Sequence, residues 1–316
     1  MKIFVYAHLD EPAKAFLQKE LSAFDVYWAD KHNLVPEDRA QFAASEICFG
    51  NVPATWLKDA PKLRWMQLES VGFEYYQKLQ GEIAQSGIVL TNLRGMFAWP
   101  AAETALAGLL ALIRGVDEMA VEQRSHNWIS LDIRPRLSLL HGRKILILGM
   151  GSIGRQVGAL LRAFECDVHY FARTAVDASF RTVEELDARL NEFAVIVNCL
   201  PSTPETTNFF SRERLARFSQ KSVFVNVGRG SAVDEAALVE LLQSRKIGGA
   251  ILDVFKQEPL PSDHPFWDCP RTILLQHTGG GYDDELLDKA RTFFANLNLY
   301  QKQQPLQNLI NLERGY

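Results

Sequence analysis

Short apolar runs alternate with longer amphipathic stretches along most of the chain. In the first hundred residues the apolar runs lie at 3–7, 25–28, 46–49, 63–68 and 88–91. The stretches between them are long enough to form helices, and this rhythm is typical of parallel strands joined by crossover helices. The pattern therefore predicts a small parallel α/β domain at the start of the chain.

The same alternation resumes more strongly after residue 140. Apolar runs at 144–148, 167–171, 195–198, 222–226, 249–253 and 272–275 predict a doubly wound sheet of about six strands. Two helix starts are marked by their chemistry. Thr182 and Glu185 have the spacing of a capping box, and Asp234 is placed to cap a helix that runs to about Ser244.

The segments between and after these two regions complete the expected organisation. Residues 92–100 form a connector, and the Ala- and Leu-rich residues 101–122 predict one long helix that links the domains. Residues 123–140 lack periodicity and are longer than most loops, which favours an interface segment over a mobile surface loop. A last helix is expected at 282–303, and residues 305–316 are expected to return to the first domain.

The most informative motif is Gly-x-Gly-x-x-Gly at residues 149–154, directly after an apolar strand. Gly149 permits a sharp turn, Gly151 lets the backbone approach a pyrophosphate, and Gly154 lets the following helix lie close to the strand. The positive end of that helix then faces the phosphates. The motif predicts a dinucleotide-binding domain, and the alternative is a glycine-rich turn that binds nothing.

These patterns give a definite fold class. We expect two Rossmann-like or flavodoxin-like doubly wound domains with parallel sheets and an active-site cleft between them. Residues 1–98 with 285–316 would form the substrate domain, and residues 99–284 would form the dinucleotide-binding domain.

Composition narrows the class of protein. Of the 316 residues 47% are hydrophobic and 23% are charged, and the formal net charge of −4 leaves no basic footprint for nucleic acid or an anionic membrane. The four cysteines are far apart and form no C-x-x-C pair, so neither a metal site nor a disulfide framework is expected. No apolar run is long enough to span a bilayer. We expect a cytoplasmic protein without a metal.

Charged residues follow three strands of the second region, namely Arg229, Glu258 and His277. Ligands in open α/β sheets bind at the carboxyl ends of strands, so these side chains are expected in one crevice beside the cofactor. An Arg between two glycines suits a bidentate grip on a carboxylate, and a His beside a carboxylate suits proton transfer. Taken singly, each residue also has a non-catalytic interpretation: Arg229 as a surface residue, His277 as a structural residue and Glu258 as a loop acid.

A loop in the first region, residues 69–75, also follows a strand end directly. It is expected to offer backbone N–H groups to a ligand, although a plain turn has the same sequence features.

Over essentially its whole length the chain resembles the D-isomer-specific 2-hydroxyacid dehydrogenase family. The resemblance rests on residues 63–72, 149–154, the Leu-Pro-x-Thr-Pro-Glu-Thr pattern within 199–206, 227–230, 253–259, His277 and 304–308. It implies that Arg229, Glu258 and His277 act together in catalysis, that Asp253 holds the nicotinamide amide, and that the segment around Trp128 joins a homodimer. Two departures stand out: Gln276 occupies a position where the family commonly has Pro, and the loop at 70–74 differs after its glycine.

The motifs and the resemblance together predict a full set of binding residues. Substrate would contact Val71, Gly72, Trp99 and Arg229. The cofactor would contact Gly149, Gly151, Ser152, Ile153, Gly154, Arg173, Thr174, Leu200, Pro201, Thr206, Val227, Gly228, Asp253 and Gly279.

The expected reaction is hydride transfer to the carbonyl carbon of a small 2-oxo acid, giving a D-2-hydroxy acid. Arg229 and the N–H groups near Val71 and Gly72 would hold the carboxylate, while His277, oriented by Glu258, would donate the proton. Met96, Phe97 and Trp99 suggest a compact pocket for glyoxylate or hydroxypyruvate, or else simple interdomain packing. Rival hypotheses are a nucleotide-sensing corepressor on the same scaffold and an NAD-dependent phosphoglycerate-type dehydrogenase.

The cofactor preference is predicted from the strand at 167–171. NAD-selective folds place an acid at the end of this strand to bind the ribose 2′-hydroxyl. Here Phe171 and Ala172 occupy that position, and Arg173 and Thr174 follow. A 2′-phosphate would meet a cation and a hydroxyl, so NADPH is expected to be preferred and NADH to bind more weakly.

Overall fold

A computed structural model describes residues 1–77 and 79–312, which fold into two compact units. The first unit is Met1–Met96 together with the segment from Tyr282 onward, and the second is Phe97–Gly281. Each unit contains one sheet in which every strand pair is parallel. The prediction of two parallel α/β domains is confirmed.

The strands and helices alternate in the expected way. The strands are β1 Lys2–Val5, β2 Asp25–Trp28, β3 Ile47–Phe49, β4 Trp65–Gln67, β5 Val89–Thr91, β6 Lys144–Leu148, β7 Asp167–Phe171, β8 Val195–Asn198, β9 Val223–Asn226, β10 Gly249–Leu252 and β11 Thr272–Leu274. The helices are α1 Glu11–Glu20, α2 Pro36–Ala43, α3 Glu74–Gln77, α4 Gln80–Ser86, α5 Ala98–Arg114, α6 Val116–Arg124, α7 Ser130–Ile133, α8 Ser152–Ala163, α9 Val183–Asp187, α10 Arg212–Leu215, α11 Glu235–Gln243 and α12 Glu285–Gln301. Among the described residues no helix is both long and apolar enough to cross a membrane.

The sheet of the first unit, sheet A, has the strand order β2-β1-β3-β4-β5. Its core is completed by α12, which comes from the far end of the chain. Phe293 of α12 stacks on Phe49 with ring centroids 4.6 Å apart and on Trp65 at 5.4 Å. These three side chains are fully buried, so α12 is an integral layer of the first unit.

A buried polar network fixes α12 to the centre of sheet A. Asn296 donates to Gln67 at 2.9 Å, and the Thr91 hydroxyl donates to the same oxygen at 2.8 Å. The chain after α12 lies against β5, since the Ile310 N–H donates to the Leu90 carbonyl at 2.9 Å. Residues 313–316 of the expected return lie outside the described residues.

The sheet of the second unit, sheet B, has the order β11-β10-β9-β8-β6-β7. All residues of β8, β9 and β10 are buried, as expected for strands covered on both faces. The predicted helix caps form: Thr182 accepts from the Glu185 N–H, and Asp234 accepts from the Ala237 N–H at 3.0 Å. The prediction of a six-stranded doubly wound sheet is confirmed.

The prediction of one long helix at 101–122 is wrong. The chain forms α5 and then α6, separated by Gly115 in the left-handed conformation at φ 65°. A Cβ at Gly115 would lie 2.5 Å from Cδ1 of Ile133, so the break is also a site of close packing. A glycine that ends a helix in this way changes the direction of the chain. As a result α5 is buried on one face, whereas α6 has no buried residue.

Candidate active site

The turn after β6 has the geometry of a phosphate cradle. Gly149 has φ 98°, and a Cβ there would lie 2.9 Å from the Cys199 carbonyl oxygen. A Cβ at Gly154 would collide with the Gly149 carbonyl, whereas a Cβ at Gly151 would meet nothing within 4 Å. The first and third glycines are therefore required by packing. The second keeps open the approach to the N-terminus of α8, which begins at Ser152 and continues through Ile153.

The next two loops are held by a pair of asparagines that end β8 and β9. Asn198 and Asn226 are register partners, and the amide of Asn198 donates to the Asn226 oxygen at 2.9 Å. The Asn198 oxygen accepts from the Leu200 N–H at 3.1 Å, and the Asn226 oxygen accepts from the Gly228 N–H at 3.2 Å. Both asparagines are at most 1% exposed. One neutral amide pair thus fixes the expected cofactor loop and the start of the Arg229 loop together.

The loop that contains Pro201 is closed by Thr206. The Thr206 hydroxyl lies 2.6 Å from the Pro201 carbonyl and accepts from the Thr203 N–H at 2.8 Å. Val227, which begins the neighbouring loop, is buried and its N–H donates to the Asn198 carbonyl at 3.1 Å. These expected cofactor contacts therefore belong to one hydrogen-bonded edge of sheet B.

Arg229 lies in extended backbone and is half-buried. Its guanidinium donates to the Gly228 carbonyl at 2.8 Å, and its own carbonyl accepts from Asn226 at 3.3 Å. A Cβ at Gly230 would collide with the backbone of Phe255, so the loop after β9 packs directly on the loop after β10. This contact brings the Arg229 and Glu258 loops together.

His277 and Glu258 form the side-chain pair that the sequence suggests. Nδ1 of His277 lies 2.5 Å from Oε2 of Glu258, and Oε1 of the same carboxylate accepts from the Phe255 N–H at 2.8 Å. The side chains are 56% and 32% exposed. Because the carboxylate engages Nδ1, Nε2 is the nitrogen through which the ring can give a proton to a ligand.

The backbone at His277 has an unusual conformation. Gln276 and His277 both have φ 57°, in the left-handed region that few non-glycine residues adopt. The His277 N–H donates to the Asp253 carbonyl at 2.6 Å, which anchors the turn. Proline cannot adopt this φ because its ring fixes φ near −65°. The departure from Pro at residue 276 is therefore a change of turn that still allows the pairing of His277 with Glu258.

The Asp253 side chain also stabilises this turn through hydrogen bonds. It is 4% exposed, and its carboxylate accepts from the Thr278 N–H at 3.0 Å and the Gly279 N–H at 3.1 Å. Burial raises the pKa of Asp253, and these N–H donors and the charge of His277 oppose the shift. A Cβ at Gly279 would lie 2.6 Å from Oδ2, so glycine is needed there.

At the other side of sheet B, the end of β7 lacks an acid. Phe171 is buried, while Arg173 and Thr174 are exposed beyond it. The charge of Arg173 reaches Glu205: the pKa of Glu205 is lowered first by the Thr203 hydroxyl and to a smaller extent by the Arg173 charge. Trp99, expected to line the substrate pocket, is on α5 and is 56% exposed.

In the first unit, the loop after β4 is held by two asparagines, Asn51 after β3 and Asn92 after β5. Asn51 accepts from the Glu69 N–H at 3.1 Å and donates to the Ser70 hydroxyl at 3.1 Å. Asn92 donates to the Val71 carbonyl at 2.8 Å. Within residues 1–77 and 79–312, the N–H groups of Val71 and Gly72 have no hydrogen-bond acceptor. The loop thus offers two N–H donors to a ligand, while the Glu69 N–H, the Ser70 hydroxyl and the Val71 carbonyl form hydrogen bonds within the protein.

The cysteines take no part in this chemistry. Cys48, Cys166 and Cys269 are buried, and Cys199 lies beside the phosphate turn. Burial raises the pKa of the Cys199 thiol to about 12, so the thiol is neutral at physiological pH.

Sequence reasoning missed the side chains that hold the loops: Asn51, Asn92, Asn198 and Asn226. A signal was present for the last two, because β8 and β9 both end in Asn after three apolar residues. Neighbouring parallel strands with the same final residue place those residues side by side. No comparable signal marks Asn51 or Asn92.

Comparison with known proteins identifies the chain. Residues 106–279 match the family model described as "D-isomer specific 2-hydroxyacid dehydrogenase, NAD binding domain". A glyoxylate/hydroxypyruvate reductase B of Pectobacterium carotovorum is 33% identical over 268 residues, covering 83% of each chain. The chain belongs to the D-isomer-specific 2-hydroxyacid dehydrogenase family. It is an NAD(P)-dependent oxidoreductase, and the expected family membership is confirmed.

Solved structures of the 2-hydroxyacid dehydrogenase family share the fold along nearly the whole chain. A family protein from Aeromonas salmonicida is 29% identical with a TM-score of 0.82, covering 98% of this chain and 99% of its own. An NADPH-dependent glyoxylate/hydroxypyruvate reductase from Sinorhizobium meliloti, solved with NADP and malonate, is 25% identical with a TM-score of 0.81, covering 98% and 97%.

Proposed function

We propose that this dehydrogenase uses NADPH to reduce glyoxylate to glycolate and hydroxypyruvate to the D-2-hydroxy acid D-glycerate. The observation that carries the proposal is the His277 and Glu258 pair on the loops that also position Arg229 and Asp253. A proton donor, a carboxylate-binding cation and a nicotinamide-binding acid are what reduction of a 2-oxo acid requires. The relatives that bear the name glyoxylate/hydroxypyruvate reductase support the choice of substrate.

The residues present fit NADPH. Gly149, Gly151 and Gly154 would hold the pyrophosphate at the N-terminus of α8, and Arg173 and Thr174 would hold the 2′-phosphate. The remaining cofactor contacts would come from Leu200, Pro201, Thr206, Val227 and Gly228. The nicotinamide amide would be held by Asp253 and Gly279. When bound, the cofactor supplies a hydride to the carbonyl carbon.

The protein's own residues manage the substrate and the proton. Arg229 and the N–H groups of Val71 and Gly72 bind the carboxylate of the 2-oxo acid. His277 gives its Nε2 proton to the carbonyl oxygen as the C–O double bond becomes single, and Glu258 stabilises the positive charge of the ring beforehand.

The division of labour follows the two units. We place substrate binding in residues 1–98 with 285–316, and cofactor binding in residues 99–284. Trp99 limits the size of the substrate side chain.

A panel of 2-oxo acids with NADPH and NADH tests this function. The absorbance loss of the reduced cofactor should be fastest with glyoxylate or hydroxypyruvate and NADPH, and chiral analysis should find the D-glycerate enantiomer. Absence of turnover with every 2-oxo acid, together with tight NADPH binding, would instead favour the nucleotide-sensing corepressor. A preference for a phosphorylated hydroxy acid with NAD would favour the phosphoglycerate-type dehydrogenase.

We also propose a homodimer formed through α6 and α7. Helix α6 has no buried residue, and the apolar side chains of Val121, Trp128 and Leu131 in this part of the chain are 66%, 92% and 82% exposed. Exposed apolar surface of this kind marks an interaction site. Sedimentation should show a dimer for the wild type and a monomer for Trp128→Glu with Leu131→Glu, whereas a monomeric wild type at micromolar concentration would remove the proposal. A cytoplasmic location fits the unpaired cysteines among the described residues.

A further inference from the structure

Lys31 and Glu69 form an ion pair at the carboxyl edge of sheet A. Lys31 Nζ contacts Oε1 of Glu69, and the His8 N–H donates to Oε2 at 2.9 Å. The Glu69 side chain is 8% exposed and that of Lys31 is 34% exposed. The carboxylate is therefore buried, and it joins the loops that follow β1, β2 and β4.

This buried carboxylate lies in the loop that we assign to substrate binding. Glu69 precedes the N–H donors of Val71 and Gly72 by two and three residues. Its charge is felt by the groups around it: burial raises the pKa of the Tyr6 hydroxyl and of the Cys48 thiol, and the Glu69 charge raises both further. A negative charge beside an anion-binding loop disfavours the anion, because like charges repel strongly where water is excluded.

Lys31 is the residue that offsets this charge. An exposed ion pair of the same unit, Lys58 with Glu82, has both side chains 52% exposed, and such pairs contribute little. The Lys31 pair differs because its acid is buried and also bonded to a backbone N–H. Removal of the Lys31 ammonium would leave the Glu69 charge uncompensated.

We propose that Lys31 is a positioning residue for substrate binding: it neutralises Glu69 and so allows the 69–72 loop to accept the carboxylate of a 2-oxo acid. The proposal rests on the proposed function, in which this loop binds the substrate carboxylate. Glu69 fixes the loop, and Lys31 removes the electrostatic penalty of having an acid there. The substrate class that benefits is anionic, and a neutral ester of the same acid gains nothing from Lys31.

The test compares Lys31→Met, Lys31→Arg, Glu69→Gln and the double variant Lys31→Met with Glu69→Gln, with Lys58→Met as the matched control. Two quantities are measured: KM and kcat for glyoxylate with NADPH, and the Kd of oxamate for the enzyme with NADPH bound, by calorimetry. Lys31→Met should raise both KM and Kd by about 10-fold with little change in kcat. Lys31→Arg and Lys58→Met should resemble the wild type, and KM for methyl glyoxylate should not respond to Lys31→Met.

The double variant separates charge from packing. It should recover the wild-type Kd for oxamate to within about 3-fold, because neither charge remains. A double variant that binds oxamate as weakly as Lys31→Met, or more weakly, overturns the proposal. If Lys31→Met does not fold, Glu69→Gln decides: its Kd for oxamate should be at or below the wild-type value, and a clear rise overturns the proposal. If the wild type reduces glyoxylate and Lys31→Met has the same KM as the wild type, this inference alone is wrong. If the wild type is inactive on every 2-oxo acid, the proposed function is wrong.

Discussion

The carboxyl edges of the two sheets hold their loops by different means. At sheet A the loop after β4 is fixed by an ion pair in which the acid is buried, Lys31 with Glu69, and by asparagines. At sheet B the loops after β8 and β9 are fixed by the neutral pair Asn198 and Asn226. The charged pair His277 and Glu258 at sheet B is 56% and 32% exposed, so it remains accessible to a ligand.

The two edges differ in whether charged side chains fix the loops or remain accessible to a ligand. At sheet A the buried carboxylate of Glu69 fixes the loop, and the adjacent Lys31 ammonium neutralises its charge. The loop therefore offers a ligand the N–H donors of Val71 and Gly72. Sheet B uses uncharged amides for geometry, which leaves its partly exposed charges available for substrate and cofactor. Charges at sheet B should therefore affect catalysis and binding, while its buried amides should affect stability as well.

The largest effect is expected at His277. His277→Ala removes the proton donor and should lower kcat by about 10²- to 10⁴-fold. The matched control is His141→Ala, since His141 also pairs with a glutamate, Glu165 at 3.1 Å, but both side chains are at least 66% exposed. Steady-state kinetics with glyoxylate should separate the two variants. A His277→Ala enzyme with near-wild-type kcat would contradict the proton path.

Arg173 should come next, because its proposed partner is the 2′-phosphate of NADPH. A hydrogen bond to a charged group contributes about 1.5–3 kcal/mol, so Arg173→Ala should weaken NADPH binding by about 10- to 100-fold and change NADH binding little. Arg181→Ala, an exposed arginine of the same unit, is the control. Fluorescence titration with both cofactors measures the effect. A wild type that prefers NADH would show that the end of β7 has been misread.

Asn226 tests the neutral half of the comparison. Asn226→Asp keeps the size of the side chain but removes the donor to the Arg229 carbonyl and adds a buried charge. We expect the free energy of unfolding to fall by about 1–3 kcal/mol, with a lower kcat/KM because the Arg229 loop loses its anchor. Denaturant unfolding of Asn191→Asp, at an exposed asparagine, should show almost no change. Equal stability of the two variants would mean that the amide pair does not hold the loops.

The smallest effect is expected at Glu205, the acid within reach of Arg173. Surface ion pairs contribute about 0–1 kcal/mol, so Glu205→Gln should strengthen NADPH binding by at most about 5-fold by freeing Arg173. The gain should vanish when Arg173→Ala is also present. A gain that persists in the double variant would locate the effect elsewhere.

The fold could be predicted well because its signals are local. The strands at 144–148 and 195–198 are found at the predicted residues, since buried parallel strands are continuous apolar runs. The break at Gly115 was missed because a glycine within an Ala- and Leu-rich stretch costs a helix only about 1 kcal/mol. Its conformation depends on the packing of Ile133, which lies 18 residues later in the chain.

The site could be predicted only in part for the same reason. Arg229, Glu258 and His277 stand out because each follows a strand, and strand ends meet at one edge of a sheet. The Lys31 and Glu69 pair joins residues 38 positions apart on loops of different strands, and neither residue type is unusual there. The left-handed turn at Gln276 also has no sequence signal, because its anchor is the Asp253 carbonyl.

The placement of α12 has a consequence for synthesis of the chain. Phe293 and Leu297 belong to the buried core of the first unit, although the whole second unit is translated before them. At about 5–20 residues per second, the roughly 200 intervening residues take about 10–40 s to make. During that time Phe49 and Trp65 lack the helix that covers them. The nascent first unit thus exposes this part of its core until the second unit has been synthesised.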